Sequence, residues 1–377
     1  MTLALDKTLE GIKRNKQNAD QNKDPNCIPF TTFKRLKQIL PGIEKETYGC
    51  ITAGTGVGKS RLARALVIDE AINFKRSPLK LDVKIDILLF SLEESKEKIY
   101  LTRAIKEVYI RHKVKINYRK IRSVGENNVL SNKELELIEN VWPHVEEYFS
   151  HIHIYDTVKN PTGIYKECIK FLKENGTVVT KKGYRPDLEA EGDVFDYYQP
   201  NHPNTYTVIV VDNYNILQSE RNANTLKDAM QKLSSEYMIE LRDKYKCSII
   251  AVHQQALSQE SVENVKAGMT EPSLAGFGDN KTITRDMNNI IGLHMPDRLK
   301  EKTYMGYDLK KLNGMFRSVH FLKMRDDGYT NDVIPCVMEP ASGMFFELPR
   351  ALGKEAKPED KLEFERGMDE FYELTTF

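Results

Sequence analysis

The chain has 377 residues, enough for one large α/β domain or two ordinary ones with a substantial core. Its 56 Lys and Arg against 55 Asp and Glu leave a net charge of +1, which argues neither for nor against a nucleic-acid partner; such a partner would need local charge on loops, not a basic total. The five dispersed cysteines form no CxxC pair or Cys/His metal spacing, and no stretch reaches about 18 consecutive apolar residues, so a zinc module, a disulfide framework and a membrane-spanning helix are excluded and a soluble, reducing, cytoplasmic setting is expected.

Residues 1–26 are polar, and only Leu5, Leu9 and Ile12 share a helical stripe. Three apolar side chains do not stabilise a free helix, so a frayed tail or a short helix docked on another surface is expected, followed by a linker over Asn18–Pro25. From Cys27 strands alternate with helices. Tyr48–Ala53 is a short apolar run ending at a Gly-rich turn, and Leu62, Ala65, Ile68 and Ile72 then recur at helical spacing. Ile85–Phe90 reads as a second strand, with a helix near Glu94–Arg111. His151–Tyr155, Val208–Val211, Ser248–Val252 and Asn289–Leu293 supply further strands, and helical patterns lie near Gly163–Glu174 and Thr225–Tyr245. Continuous Val/Ile runs mean strands covered on both faces, hence a mostly parallel sheet. Cys50 and Cys247 fall inside such runs and read as small core residues. Phe316–Met324 and Val333–Leu348 read as an antiparallel closing part. Glu174–Tyr206, rich in Gly, Pro, Asp and Tyr and without a period, is expected as a surface insertion before the Val208 strand.

The chemistry begins at the first strand–helix junction, Ala53-Gly54-Thr55-Gly56-Val57-Gly58-Lys59-Ser60. Glycines let backbone N–H groups turn inward around phosphates, and the helix starting near Lys59 aims its positive dipole end at them. In such a Walker A loop the lysine neutralises the β- and γ-phosphates of ATP and the Ser60 hydroxyl ligates Mg²⁺. The strict pattern has Gly where Ala53 stands. Val208–Val211 ends in Asp212, the Walker B form, a carboxylate at a buried strand end that would hold Mg²⁺ through water. A plain glycine turn and a capping aspartate are the bland alternatives. Glu93 lies just past the second strand and Gln254 just past Ser248–Val252. Parallel strands would bring both to the edge that bears the phosphate loop, as water-activating base and γ-phosphate sensor of a RecA-type core.

These elements resemble the DnaB-type replicative helicases over roughly residues 27–350, which leaves 1–26 as a tail or linker helix and 351–377 as a C-terminal tail. Ile28-Pro29-Phe30-Thr31-Thr32-Phe33, with Leu36, resembles the family's leading segment, and alanine at the position of Ala53 is common there. Phe90–Ser95 resembles the motif whose glutamate activates water, which assigns that role to Glu93, although the family often has Met where Glu94 stands. Tyr155-Asp156-Thr157 resembles a short strand-end element. Val211-Asp212-Asn213-Tyr214 with Leu217-Gln218 is similar to the family's Walker B, and His253-Gln254 to its phosphate-sensing motif. Ser273-Leu274 and Gly278–Lys281 through Asp286 to Ile291 resemble the DNA-loop motif, with Asn289 where the family usually has Asp. Leu322–Gly328 resembles the segment that reaches a neighbour's ATP, which makes Arg325 the arginine finger and Lys323 its companion.

The resemblance implies a RecA-like P-loop NTPase: an α/β fold with a mostly parallel central sheet, helices on both faces and an antiparallel C-terminal extension. It implies ATP and Mg²⁺ as cofactors, a homo-oligomer of hexameric form, single-stranded DNA as the partner, and a primase or helicase loader as further contacts. With 26 residues ahead of the motor, a compact, phage-like form is expected, acting in the host cytoplasm. For the strand, the residues expected to follow the phosphate backbone are Arg221 after Asp212, and Lys266, Lys281 and Arg285 in the Gly-punctuated stretch Leu257–Arg285. Two other readings stay open: a RecA-like recombinase or remodelling ATPase that binds DNA without unwinding it, and a nucleotide-dependent assembly switch.

Overall fold

A computed structural model describes residues 2–20, 26–76, 83–186, 188–325, 328, 332–352 and 357–374. Its centre is a nine-stranded sheet: β1 (Tyr48–Ala53), β2 (Lys84–Ser91), β3 (Ile152–Tyr155), β4 (Thr205–Asp212), β5 (Ser248–Gln254), β6 (Asn289–His294), β7 (Phe316–Met324), β8 (Val333–Met338) and β9 (Phe345–Glu347). The strand order across the sheet is β9-β8-β7-β6-β1-β5-β4-β2-β3. The six strands from β6 to β3 are parallel, and β7, β8 and β9 add on antiparallel. The RecA-like layout expected from the sequence is therefore present, antiparallel extension included.

Alternation along the strands explains their unbroken hydrophobicity, because successive side chains serve opposite faces. In β4, Tyr206, Val208 and Val210 enter one core with Ile85, Ile87 and Leu89 of β2. Ile209 and Val211 enter the other, with Leu88 and Phe90. The first core is roofed by the helical stretch Lys59–Arg76, which includes a wider, π-helical turn over Arg64–Asp69. The second is covered by helices Pro161–Glu174 and Leu226–Asp243. Cys50 and Cys247 are both buried there.

Three stretches depart from their sequence reading. Residues 174–206 lack a clear period, yet Gly176–Arg185 and Ala190–Pro200 pair as a long antiparallel hairpin with a register shift at Val179/Thr180. Val178, Phe195 and Tyr198 pack it on the second core, while Tyr184 and Tyr197 stay exposed. The stretch Leu257–Arg285 is mostly helical rather than loop: a turn at Leu257–Glu260, a short helix Val262–Lys266, and a 3-10 segment Leu274–Arg285 kinked at Gly278. Beyond residue 350, Pro358–Leu374 is a helix whose Met368 and Phe371 are buried with Tyr307 and Phe316. At the other end, Thr2–Asp20 is a helix, one of the two forms expected, with Leu5, Leu9 and Ile12 all exposed; it runs on through residues 18–20 of the expected linker. Residues 21–25 of the expected linker lie outside the described residues.

The leading segment is fixed by two carboxylates, Glu70 at Thr31 and Thr32 and Glu347 at the N–H groups of Arg35 and Leu36. Cys27–Pro29 pairs with Gly42–Glu44, and the fully buried Glu70 accepts hydrogen bonds from the backbone N–H groups of Thr31 (2.5 Å) and Thr32 (2.9 Å) and from both hydroxyls. Glu70 belongs to the helical stretch that starts at Lys59. The segment and the phosphate loop thus share one helix as their support.

Candidate nucleotide site

The loop after β1 turns on two glycines with left-handed backbone, Gly56 (φ 73°) and Gly58 (φ 112°). An L side chain would be strained at either, and a Cβ on Gly58 would also stand 2.8 Å from Met338 Sδ of β8. The helix begins at Lys59, so its unpaired N–H groups and positive dipole end face the turn.

Around this loop the ends of β2, β4 and β5 bring the expected residues to one edge. Ser60 Oγ donates to Asp212 Oδ1 at 2.9 Å. Lys59 is 7 % exposed, and its Nζ stands 3.5 Å from Gln254 Oε1. Gln254 Nε2 in turn donates to Thr55 Oγ1 at 2.7 Å. Glu93 is exposed beside them, and its Oε2 accepts from Asn213 Nδ2 at 2.9 Å. Burial raises the Asp212 carboxyl, partly offset by Arg64 and the Ser60 hydroxyl. A hydroxyl and a carboxylate oxygen converging next to a lysine and a helix N-terminus are hard donors of the kind Mg²⁺ takes, so this chain's residues fit that ion.

Several positioning residues escaped the sequence reading. Asn215 clips the backbone of Gln254, its Oδ1 accepting from Gln254 N at 2.6 Å and its Nδ2 donating to Gln254 O at 3.2 Å. Asn213 and Asn215 follow the Walker B aspartate directly, and a run of amides at a buried strand end was the signal for them. Asp156, in the strand-end element of unassigned chemistry, accepts from Lys96 N at 2.8 Å and so anchors the helix that follows Glu93. Glu94, where the family often has Met, pairs with Arg64 (2.5 Å) and Lys98 (2.8 Å). Burial pushes its carboxyl up, but these two cations more than reverse that and hold it low. His253 is a core histidine. Its Nδ1 lies 3.2 Å from Thr52 Oγ1, its ring stacks on Phe277 at 4.2 Å, and burial lowers its pKa to about 3.

A cleft of 310 Å³ opens along the same helix, with Arg61, Arg64, Glu94, Tyr148 and Ser342 among its walls. Arg64 Nε reaches back to Ser60 O at 3.3 Å, which joins the cleft to the phosphate loop.

Lys323 and Arg325 are not in this cluster. Because β7 runs antiparallel to β6, Met324 lies level with Asn289 and, through it, with Gly49 at the start of β1. The phosphate loop leaves the far end of β1. The two are thus separated by roughly 15–20 Å of strand. Lys323 Nζ is turned onto its own chain, donating to the carbonyls of Thr284 (2.6 Å) and Met287 (2.7 Å). Arg325 is exposed and donates to Arg285 O at 2.5 Å. Asp326 and Asp327 of the same motif lie outside the described residues.

Arg221, Lys266, Lys281 and Arg285 are all exposed. Arg221 sits in the turn between Glu220 and Ala223. Lys266 ends its short helix, while Lys281 and Arg285 ride the kinked segment, which Thr282 ties to Gln231 at 2.8 Å.

A glycine phosphate loop at the carboxyl edge of a parallel sheet, with Lys, Ser, Asp and Gln side chains converging on it, defines a P-loop ATPase fold of the RecA-like class. Among solved structures the chain is similar to the ATPase domain of another protein, with a TM-score of 0.64 at 16 % identity, covering 92 % of this chain and 99 % of that one. It is also similar to a DnaB-like replicative helicase, solved together with its interactions with primase, with a TM-score of 0.61 at 15 % identity over 85 % of this chain and 64 % of that one. No family model and no curated protein sequence matches the chain.

Proposed function

We propose that this chain is the ATP-hydrolysing motor of a DnaB-type DNA helicase, a homo-hexameric ring that moves on single-stranded DNA and unwinds duplex. The observation that carries the reading is a division of labour along β1. Lys59, Ser60, Asp212, Gln254 and Glu93 gather at one end, and Arg325 is exposed at the other. A single copy cannot place that guanidinium on its own phosphates. A neighbour in a head-to-tail ring can, and closed rings arise from such heterologous contacts.

In this reading Lys59 and the loop N–H groups grip the phosphates, and the cleft beside Arg61 and Arg64 takes the base and ribose. Mg²⁺ held by Ser60 and, through water, by Asp212 would supply positive charge next to the transferred phosphoryl group. Glu93, oriented by Asn213, positions the attacking water and accepts its proton. Gln254 stands between Lys59 and Thr55, where the presence of the terminal phosphate displaces one of its two contacts. Arg325 from the adjacent copy completes the charge stabilisation, an effect of about 10³–10⁵ in rate among related NTPases. Arg221, Lys266, Lys281 and Arg285 follow the strand backbone without reading bases. A primase or loader is a further expected contact.

The deciding measurement is strand displacement from a forked DNA by protein assembled with ATP. Displacement that disappears in Lys59→Ala supports the motor. Assembled rings that hydrolyse ATP but displace nothing would sink it, and strand exchange in their place would favour the recombinase reading.

A further inference from the structure

The phosphate loop is braced from outside its own strand and helix by two arginines that the nucleotide chemistry does not use. Arg317, on β7, is 3 % exposed, and its Nε donates to the carbonyl of Val57 at 2.7 Å. Its Nη1 donates to the carbonyls of Gly314 (2.9 Å) and Phe316 (2.6 Å). Arg298, exposed in the turn Pro296–Leu299 that follows β6, donates to the carbonyl of Thr55. Asp297 of the same turn is among the groups that favour the charge on Arg317, although burial draws that guanidinium down to about 10.

The consequence follows from peptide planarity. In a trans peptide the carbonyl and the next N–H point in opposite directions, and both peptides concerned are trans. Holding the Thr55 and Val57 carbonyls toward the arginines therefore turns the N–H groups of Gly56 and Gly58 away from them. These are the two loop residues in left-handed backbone. A buried guanidinium spent on carbonyl oxygens is a demanding way to fill a core, since an apolar side chain of similar volume is often as stable or more so. What it achieves here is orientation of alternate peptide planes.

We propose that Arg317 and Arg298 are positioning residues for phosphate binding, a pair that sets the Gly56 and Gly58 N–H groups toward the nucleotide before it arrives. The proposal rests on the nucleotide reading above and adds its preorganising partners, Arg317 on the first antiparallel strand and Arg298 in the turn that follows β6.

The test uses the full chain with ADP carrying a fluorescent N-methylanthraniloyl label, together with steady-state ATP hydrolysis. Arg317→Met is expected to weaken ADP by about tenfold or more, the scale of a hydrogen bond from a charged donor. KM for ATP rises by about the same factor while kcat moves by less than about threefold, because the loss is in gripping the phosphates. Arg317→Lys, which retains one charged donor, recovers part of the affinity. Phe316→Leu, buried next to it on β7, lowers the melting temperature without changing ADP affinity, which separates loop geometry from general destabilisation. Arg298→Gln lies at an exposed site and weakens ADP in the same direction, so it decides the matter even if Arg317→Met does not fold. Folded Arg317→Met and Arg298→Gln proteins that bind ADP as wild type does would overturn the brace. Wild type that binds no ADP would overturn the nucleotide reading on which it stands.

Discussion

Acidification from about pH 7.5 to about pH 5 sets three histidines against their surroundings. His253, His294 and His320 are 1, 5 and 6 % exposed. Burial lowers them to about 3, about 4 and about 4. Their ordinary value is 6.5. Between that value and the folded one, an unfolded imidazole takes up a proton that the native one refuses, so stability rises with pH across this window and is lost on acidification. At about pH 5 the loss is about 2 kcal/mol per histidine, the free energy of keeping an imidazole neutral roughly 1.5 pH below its unfolded midpoint. His294 and His320 lie 5.9 Å apart, which makes a second proton harder to place. Glu271 Oε2, 3.9 Å from His320 Nδ1, acts the other way. The sum, about 4–6 kcal/mol, is a large share of the 5–15 kcal/mol that holds a typical domain together. Urea unfolding followed by circular dichroism at the two pH values should show the midpoint falling by about 1 M or more on acidification. A His294→Gln/His320→Gln protein, which keeps a polar partner for the Ser318 hydroxyl, should lose about two thirds of that fall. Equal midpoints for wild type at both pH values, or a double variant that retains the whole fall, would refute the reasoning.

Four further outcomes are expected. Glu93→Gln should bind ATP and ADP as wild type does while kcat falls by about 10²–10⁴, the range for losing a positioned general base; an unchanged turnover would remove Glu93 from the chemistry. Lys59→Ala and Arg325→Ala should each be inactive alone yet regain hydrolysis when mixed, because some junctions then pair an intact loop with an intact arginine; activity of isolated wild-type monomers with no recovery on mixing would dismiss the shared site. Glu70→Ala removes the acceptor for four donors from Thr31 and Thr32 and should destabilise the protein by about 2–4 kcal/mol, less than four bonds to a charge because the donors can turn to water; limited proteolysis then cuts within 27–35 before any other described segment. Lys281→Ala should weaken single-stranded DNA similarly across sequences and reduce the salt slope of binding by about one, and a salt slope equal to that of wild type would place Lys281 off the strand.

The fold was legible where burial on both sides forces a long β-branched run, as in Val208–Val211 and Ser248–Val252, and where chemistry forces glycine, as at Gly56 and Gly58. It was illegible where packing depends on partners distant in sequence. Phe195 and Tyr198 hold the hairpin because Tyr245 receives both rings at 5.5 Å, a contact that no local period announces. Leu257–Arg285 has enough Gly to suggest a loop, yet its kink needs a single glycine, Gly278, with non-helical backbone. The helix Pro358–Leu374 was read as tail because its buried side chains, Met368 and Phe371, are few and face a small cluster and not the main core. At the site, the residues that gather around the glycine loop were visible because their positions follow strand ends. Their supports were not. Asn215, Asp156, Arg298 and Arg317 act through backbone atoms brought near only by the folded sheet.

The foot of β7 and the segment bearing Lys281 and Arg285 are fastened together at several points. Lys323 holds the carbonyls of Thr284 and Met287, Arg325 holds that of Arg285, and Arg325 N donates to Asn288 O at 3.1 Å. Mechanically they are one lever. A tug on the exposed guanidinium from an adjoining copy would be delivered to Lys281 and Arg285 with little slack, over a span of a few residues and without passing through the hydrophobic core.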